Sequence, residues 1–191
     1  PYEWKSLYGL RRYGFHGSSH SYIAWKLGRE APACRRVISC HLGGSSSLCA
    51  ILDGQSVACS MGATPQSGLF HNNRVGDFDA FCLPALAEAL GGLDEALRQL
   101  SSKSGLLGLS GLSGDMRDVL EGADQGNARC RLAVDAFVDS IVGYVGMFTA
   151  YLGGLDALAF TGGIGFHSAA IRRMVCERLA FVGAKLDPLL N

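Results

Sequence analysis

The chain has 191 residues, of which 48% are apolar, and its 17 basic and 17 acidic side chains give no net formal charge. This length suffices for one domain with a sizeable core. The charge balance excludes a general attraction to nucleic acid or to an acidic membrane. Seven cysteines lack CxxC spacing, so neither a zinc site nor a disulfide framework is predicted, and a reducing cytoplasm fits best. We predict no membrane-spanning segment and no signal peptide.

The first half of the chain predicts one helix followed by three strands. Residues 18–28 are expected to form a short helix, and residues 35–44 an apolar strand that ends in glycines. Residues 46–62 predict a hairpin, because Asp53-Gly54 is a strong two-residue turn signal between two strand-like runs. We expect these three strands to pair antiparallel. The turn-rich segment 63–77 is polar and is predicted to lie outside the core.

The second half predicts helices and one further strand. Segment 104–120 holds Gly-Ser breaks, and residues 155–165 predict a strand that enters a glycine turn. Apolar residues at three- and four-residue steps predict helices over 78–91, 94–101, a stretch from about Asp115, 127–152 and 168–182. Two apolar strands thus end in glycine-rich turns. Because ligands bind at the carboxyl ends of strands in α/β sheets, we expect both turns to face one cleft.

Both glycine-rich turns are candidates for binding an anion. In HLGGSSS, from His41 to Ser47, the glycines allow successive backbone N–H groups to point at one anion, although a plain hairpin turn explains the same letters. TGGIG, from Thr161 to Gly165, is weak alone, since such a turn also serves only to pack a helix on a strand. A helix starting near Ser168 would add free N–H groups.

Charged and titratable side chains in two other segments suggest anion chemistry. The planar fork of Arg74 matches phosphate oxygens, but a solvated charge or a pair with Asp77 or Asp79 is an alternative. His16 and His20 are four residues apart and would share one face of a helix. They could donate to an anion or serve as structural histidines, while the lack of a third ligand disfavours zinc.

The segment SGDMRD offers a simpler structural interpretation. Ser113 or Asp115 is suited to cap a helix, and Asp115 and Arg117 could be solvated charges. From the residues alone, capping is the stronger interpretation. His71 and His167 stand singly, and neither is assigned a role beyond loop or cap.

Six segments taken together resemble the acetate kinase (acetate/propionate kinase) family in order and spacing, from about Tyr8 to Asp187: RRYGFHGSSHSY, HLGGSSSL, SMGATPQSGL, NRVGDFD, SGLLGLSGLSGDMRD and FTGGIG. The resemblance implies an α/β fold, with residues 1–191 forming one actin-like, ribonuclease-H-like ATPase domain, a mixed sheet flanked by helices. It also implies a cytoplasmic homodimer that uses Mg²⁺. Such enzymes transfer a phosphoryl group between ATP and a short-chain carboxylate, which gives an acyl phosphate.

The resemblance also assigns site residues. The expected nucleotide-binding residues form a phosphate loop, an adenosine-binding stretch and a second nucleotide loop: His41, Leu42, Gly43, Gly44 and Ser45; Asp115, Met116 and Arg117; and Gly163, Ile164, Gly165, Phe166 and His167. His16 and Arg74 align with the residues that stabilise the phosphoryl transition state. Donors placed around the planar phosphoryl group in a water-poor cleft are what this transfer requires.

The chain departs from the family's motifs at several positions. Gly44 stands where the family's phosphate loop has Asn, Phe166 and His167 replace Glu and Asn, and the segment before Arg74 differs. The family's N-terminal domain and C-terminal extension are also expected to lie outside this chain, so we name no magnesium ligand here. The isolated chain is therefore expected to be inactive. The alternative is a catalytically inactive ATPase-fold module that binds nucleotide or only dimerises. A sugar kinase that shares only the fold is disfavoured.

Overall fold

A computed structural model describes residues 1–191, which form one four-stranded sheet with helices on both faces. The strands are β1 (Arg36–His41), β2 (Ser47–Leu52), β3 (Gln55–Cys59) and β4 (Ala157–Thr161). The helices are α1 (Trp4–Tyr8), α2 (Gly17–Glu30), α3 (Leu83–Leu90), α4 (Leu93–Ser102), α5 (Gly105–Ser110), α6 (Met116–Asp124), α7 (Ala128–Leu152), α8 (Gly162–His167) and α9 (Ala169–Arg178). Short 3-10 helices cover Ala80–Cys82 and Ala180–Val182.

The sheet is mixed, with the strand order β3-β2-β1-β4. Strands β1, β2 and β3 pair antiparallel, as predicted, and the turn between β2 and β3 consists of Asp53 and Gly54, with φ angles of 51° and 78°. Strand β1 pairs parallel to β4, with His41 opposite Thr161. The carboxyl ends of these two strands therefore lie side by side, and the loops that follow them leave the same edge of the sheet.

Alternation along the strands separates two packed layers, because successive side chains of a strand point to opposite faces. The larger core lies between one face and helix α7, and it includes Ile38, Cys40, Leu48, Ala50, Phe137, Ile141 and Phe148. The smaller one lies under helix α2 and contains Ile23, Val37, Cys49 and Ile51. Ser39, His41 and Ser47 share the α2 face of the sheet, which positions the candidate site.

Helix α7 corrects the expectation about apolar segments. Its 25 residues are long and apolar enough, by length and composition alone, to cross a membrane. Nine of its side chains are nevertheless buried, among them Phe137 and Phe148 in the core of the fold. The helix therefore packs as the central core helix of this domain. A buried core helix can be as long and as apolar as a helix that spans a membrane.

Three segments differ from the sequence predictions. Residues 63–77 are irregular, as expected, but Leu69 and His71 are fully buried, so this segment contributes to the core. The Gly-Ser segment forms helix α5, because burial of Leu106 outweighs the low helix propensity of its glycines. The predicted turn after β4 is the short helix α8. Gly162 begins it with φ 75°, where a Cβ would lie 2.5 Å from the carbonyl oxygen of Leu42.

Candidate active site

A cleft of about 620 Å³ opens at the carboxyl ends of β1 and β4. The residues of the three expected nucleotide-binding segments that line it are Gly43, Gly44, Asp115, Met116, Arg117, Gly163, Ile164 and His167. Ser168, where the sequence predicted the start of a helix, lines it as well, and sequence reasoning missed four further lining residues, Asn72, Leu120, Ala169 and Ala170. Asn72 lies just before the NRVGDFD segment and was given no role, and a long-range bond from its N–H to the Gly44 carbonyl, 3.3 Å, brings it there. The structure thus joins both strand ends and the start of α6 around one cavity.

The backbone of Leu42 joins the two strand ends and does not face the cleft. Its N–H donates to the carbonyl of Thr161 at 2.8 Å, and its own carbonyl accepts from Ile164 at 2.9 Å and Gly165 at 3.1 Å. The Leu42 side chain is fully buried. The amides of Leu42, Ile164 and Gly165 are therefore committed to holding the two loops together and are not free to bind an anion.

Other amides of the two loops remain available. The N–H of Gly43 donates to Ser46 Oγ at 3.3 Å, while those of Gly44 and Ser45 have no partner within the chain. At the start of α8, the amide of Gly163 has no partner within its own helix, as is usual in a first turn. The amides of Gly44, Ser45 and Gly163 are thus free donors near the cleft.

Asp115 caps helix α6, which confirms the capping interpretation. Its Oδ1 accepts from the backbone N–H of Arg117 at 2.9 Å, and its carboxylate pairs with that guanidinium at 2.6 and 3.0 Å. The side-chain hydrogen bonds, followed by the backbone bond, lower the pKa of Asp115 to about 2. The carboxylate faces the cleft as one half of an ion pair and is already satisfied.

Three imidazoles cluster beside the β1 loop, on the α2 face of the sheet. The ring of His16 stacks on that of His41 with centroids 4.0 Å apart, and His20 lies 6.4 Å from each. His41 Nδ1 lies 2.9 Å from Ser19 Oγ. His41 therefore contributes to this cluster and not to the wall of the cleft. Ser45 and the largely exposed Phe166 do not line the cleft either.

Arg74 is held without a carboxylate partner. Its Nη1 donates to the carbonyl of Pro65 at 2.7 Å, and burial lowers its pKa. Asp77 instead accepts from Tyr144 at 2.6 Å, and Asp79 caps the 3-10 helix that follows, so the suggested pairing of Arg74 with these carboxylates is wrong.

The positive charge of Arg74 lowers the pKa of two neighbouring imidazoles. After burial and the effect of His41, this charge is a further cause that lowers the pKa of His16, to about 4. It also contributes, after burial, to lowering the pKa of His71 to about 4. His16 and Arg74 therefore lie within electrostatic reach of each other, although they are 58 positions apart in the chain. Neither side chain is among those that line the cleft of about 620 Å³.

The cleft does not offer a magnesium site of its own. No group of three or more His, Cys, Asp or Glu side chains in this chain is placed to hold a metal ion. Asp115 is the carboxylate that lines the cleft, and Arg117 already occupies both of its oxygens. The residues present therefore do not fit Mg²⁺.

The buried imidazoles predict a loss of stability in mild acid. Burial, the largest cause, lowers the pKa of His16, His20 and His71 from 6.5 to about 4. Between these values the unfolded chain binds protons that the native chain does not, so the free energy of unfolding should fall as the pH drops from about 6.5 to about 4. Urea unfolding at pH 7, 5.5 and 4.5 measures this change.

A control separates these imidazoles from the carboxylates. The pKa of Asp115 and that of Asp156 are held near 2 by hydrogen bonds from arginines, so their contribution is lost mainly below pH 4. NMR titration of the ring protons assigns the change directly. Rings of His16, His20 and His71 that titrate near pH 6.5 in the folded chain would contradict the prediction.

The mixed sheet, with helices on both faces and a cleft at the ends of β1 and β4, defines an actin-like, ribonuclease-H-like ATPase domain. The chain belongs to the Acetokinase family, whose sequence model matches residues 1–191. The relationship therefore extends beyond a shared fold.

Individual relatives agree with this assignment. The chain is 49% identical over 196 residues to the propionate kinase of Citrobacter rodentium, covering 100% of this chain and 48% of that protein. It is 45% identical over 187 residues to acetate kinase 1 of Listeria monocytogenes, covering 96% of this chain and 47% of that protein. The crystal structure of Porphyromonas gingivalis acetate kinase superposes with a TM-score of 0.93 at 36% identity, covering 100% of this chain and 49% of the other. The chain thus spans about half the length of these relatives.

Proposed function

We propose that this chain supplies the nucleotide-binding half of an enzyme that transfers a phosphoryl group between ATP and a short-chain carboxylate. The observation that carries the proposal is the convergence of the loops after β1 and β4 with the start of α6 around one cavity of about 620 Å³. A cavity of this size is within the range that holds small ligands. The names of the relatives, propionate kinase and acetate kinase, indicate the carboxylates to be tested first.

The phosphate groups of the nucleotide are expected to lie against bare backbone. The free amides of Gly44, Ser45 and Gly163 offer donors, and the absence of side chains at the two glycines lets a ligand approach closely. The nucleoside then extends toward Asp115, Met116 and Arg117, where buried Met116 gives an apolar wall.

His16 and Arg74 are proposed to stabilise the phosphoryl group during its transfer. That group spreads negative charge over its equatorial oxygens, so its transfer needs fixed donors and positive charge. The guanidinium of Arg74 keeps donors free after bonding to Pro65, and the half-buried ring of His16 is neutral at pH 7 because its pKa is near 4. A guanidinium and a neutral N–H donor would then stabilise the transition state without repelling each other.

Assembly and location are part of the same proposal. We expect a homodimer in the cytoplasm, with no nucleic acid or membrane as partner. Large apolar side chains remain exposed on this half, including Phe81 at 93% and Phe181 at 78% exposure, and such surfaces commonly contact another domain or subunit. All seven cysteines are unpaired, which suits a reducing compartment. Mg²⁺ is expected to accompany ATP, held by groups outside this chain.

A charge placed in the cleft tests nucleotide binding. Gly163 and Gly28 both lie in helices, and a Cβ at either position would meet no atom within 4 Å, so both accept a larger side chain. We expect Gly163→Glu to weaken ATP binding at least about tenfold, because its carboxylate repels the phosphates. Gly28→Glu, near the C-terminal end of α2 and outside the cleft, adds the same charge and should bind like the unmodified chain.

The measurement is isothermal titration calorimetry of the 191-residue chain with ATP and magnesium. Saturable heat that Gly163→Glu reduces and Gly28→Glu does not would support the proposal. An unmodified chain that gives no heat at millimolar ATP, or equal binding by both variants, would refute the assignment of this cleft.

A further inference from the structure

Two histidines at the start of helix α2 and two serines of the sheet below it form a continuous series of hydrogen bonds. Ser39 Oγ lies 2.9 Å from Nδ1 of His20, and Nε2 of the same ring lies 2.9 Å from Ser47 Oγ. Ser47 Oγ in turn lies 2.8 Å from Nδ1 of His16. No group of the chain bonds to Nε2 of His16, so this atom is the free end of the series.

Counting hydrogens leaves only two complete arrangements. A neutral imidazole carries one N–H and a hydroxyl carries one O–H. In the first arrangement Ser39 donates to Nδ1 of His20, Nε2–H of His20 donates to Ser47, and Ser47 donates to Nδ1 of His16. In the second arrangement, every donor and acceptor is exchanged, and His16 carries its hydrogen on Nδ1.

The burial of Ser39 decides between the two. This residue has no exposed surface, and its hydroxyl contacts no polar group other than His20. In the second arrangement the Ser39 hydroxyl would accept from His20, and its own hydrogen would have no acceptor. A buried polar hydrogen without a partner disfavours that arrangement by roughly tenfold or more. The first arrangement pairs every buried hydrogen and leaves Nε2–H of His16 as a free donor.

We infer that Ser39, His20 and Ser47 are positioning residues that hold His16 in its Nε2–H tautomer, so that a neutral ring presents an N–H to an anionic oxygen. Fixing a donor in advance lowers the reorganisation required when charge develops on that oxygen. The identity of the oxygen, one on the transferring phosphoryl group, rests on the proposed function. The assignment of the tautomer is independent of the proposed function.

Proton occupancy agrees with this arrangement. Burial is the largest cause that lowers the pKa of both His16 and His20 to about 4, so both rings are neutral at pH 7.

The periodicity of strand and helix brings the two serines and the two histidines together. Ser39 and Ser47 point to the same face of the sheet, and His20 lies one helical turn after His16.

Long-range nitrogen–proton NMR spectra of the ¹⁵N-histidine-labelled chain at pH 7 read each tautomer directly. We expect one form, Nε2–H, at both His16 and His20. A dominant Nδ1–H form at His16 would overturn the inference, and this result needs no variant.

Substitutions test whether Ser39 controls the tautomer of His16 through His20 and Ser47. In Ser39→Ala both arrangements lose one hydrogen bond, so the Nδ1–H population at His16 should rise about tenfold or more, although His16 does not touch residue 39. Ser39→Thr keeps the hydroxyl and should restore the single form. A folded Ser39→Ala chain with an unchanged His16 would overturn the role of Ser39. Ser47→Ala should mix the tautomers of His16 and leave His20 as Nε2–H.

The same sample separates this inference from the proposed function. The spectra are recorded without nucleotide, and ATP is added afterwards. The expected tautomers without any ATP binding would refute the proposed function and leave the tautomer assignment intact. ATP binding by a chain whose His16 carries Nδ1–H would refute the tautomer assignment and leave the proposed function intact.

Discussion

Replacing Arg74 with alanine is expected to lower the rate of acyl phosphate formation by about 10²–10³-fold, because one preorganised donor to a developing oxyanion contributes on the order of 3 kcal/mol. Arg74 is suited to that role, since it has no carboxylate partner and its charge reaches His16. The effect should fall mainly on kcat, as for an interaction made only in the transition state. Arg74→Lys keeps the charge but loses the planar fork and should recover the rate only in part.

The assay needs both halves of the enzyme. A chimera in which this chain replaces the matching 48% of the Citrobacter rodentium propionate kinase supplies them, and hydroxylamine trapping measures the acyl phosphate. Arg131→Ala is the matched control, because Arg131 is exposed on α7 and forms no ion pair. Full activity of Arg74→Ala would remove Arg74 from the mechanism. A chimera that binds ATP but never turns over would favour a catalytically inactive module.

Gly105→Ala is expected to affect both stability and activity. Gly105 has φ 61°, and a Cβ there would lie 2.2 Å from the carbonyl oxygen of His71 and 2.8 Å from that of Arg74. The left-handed conformation and the clash together should cost at least about 2 kcal/mol of unfolding free energy. The backbone that carries Arg74 must then move, and a displacement of about 1 Å can cost about 10²-fold in rate.

Gly146→Ala is the matched control for this change. Gly146 lies within α7, has an ordinary helical φ, and a Cβ there would meet no atom within 4 Å. Alanine should therefore raise the unfolding free energy by about 0.5–1 kcal/mol and leave the rate unchanged. Urea unfolding and the chimera assay measure both quantities. Equal effects of the two substitutions would show that α5 does not hold the Arg74 segment in place.

Local patterns in the sequence predicted most of the framework but not the contacts between distant segments. The hairpin at Asp53-Gly54 and the long helix α7 follow from turn chemistry and from apolar periodicity, which are local properties. The order of glycines could not show that the amides of Leu42 and Gly165 are committed to joining two strands. Those bonds exist because β1 and β4 pair in parallel although 115 residues separate the end of β1 from the start of β4, and no local signal encodes that pairing.

The segment before Arg74 shows the same limit more clearly. Its polar letters predicted a surface loop, yet His71 is fully buried and its Nδ1 accepts from the N–H of Ser46 at 3.0 Å. The carbonyl of His71 accepts from Leu106 at 2.9 Å. The bond from the β1 loop satisfies Nδ1 of the buried ring, and the bond from α5 satisfies the backbone carbonyl, and composition alone reveals neither contact.

Backbone amide NMR during an ATP titration tests most directly whether the two strand ends share one nucleotide site. We predict that the amides of Gly43, Gly44 and Gly163 and those of residues 115–117 shift together, with one dissociation constant. Shifts confined to one strand end, or no shift at millimolar ATP with magnesium, would contradict a shared site.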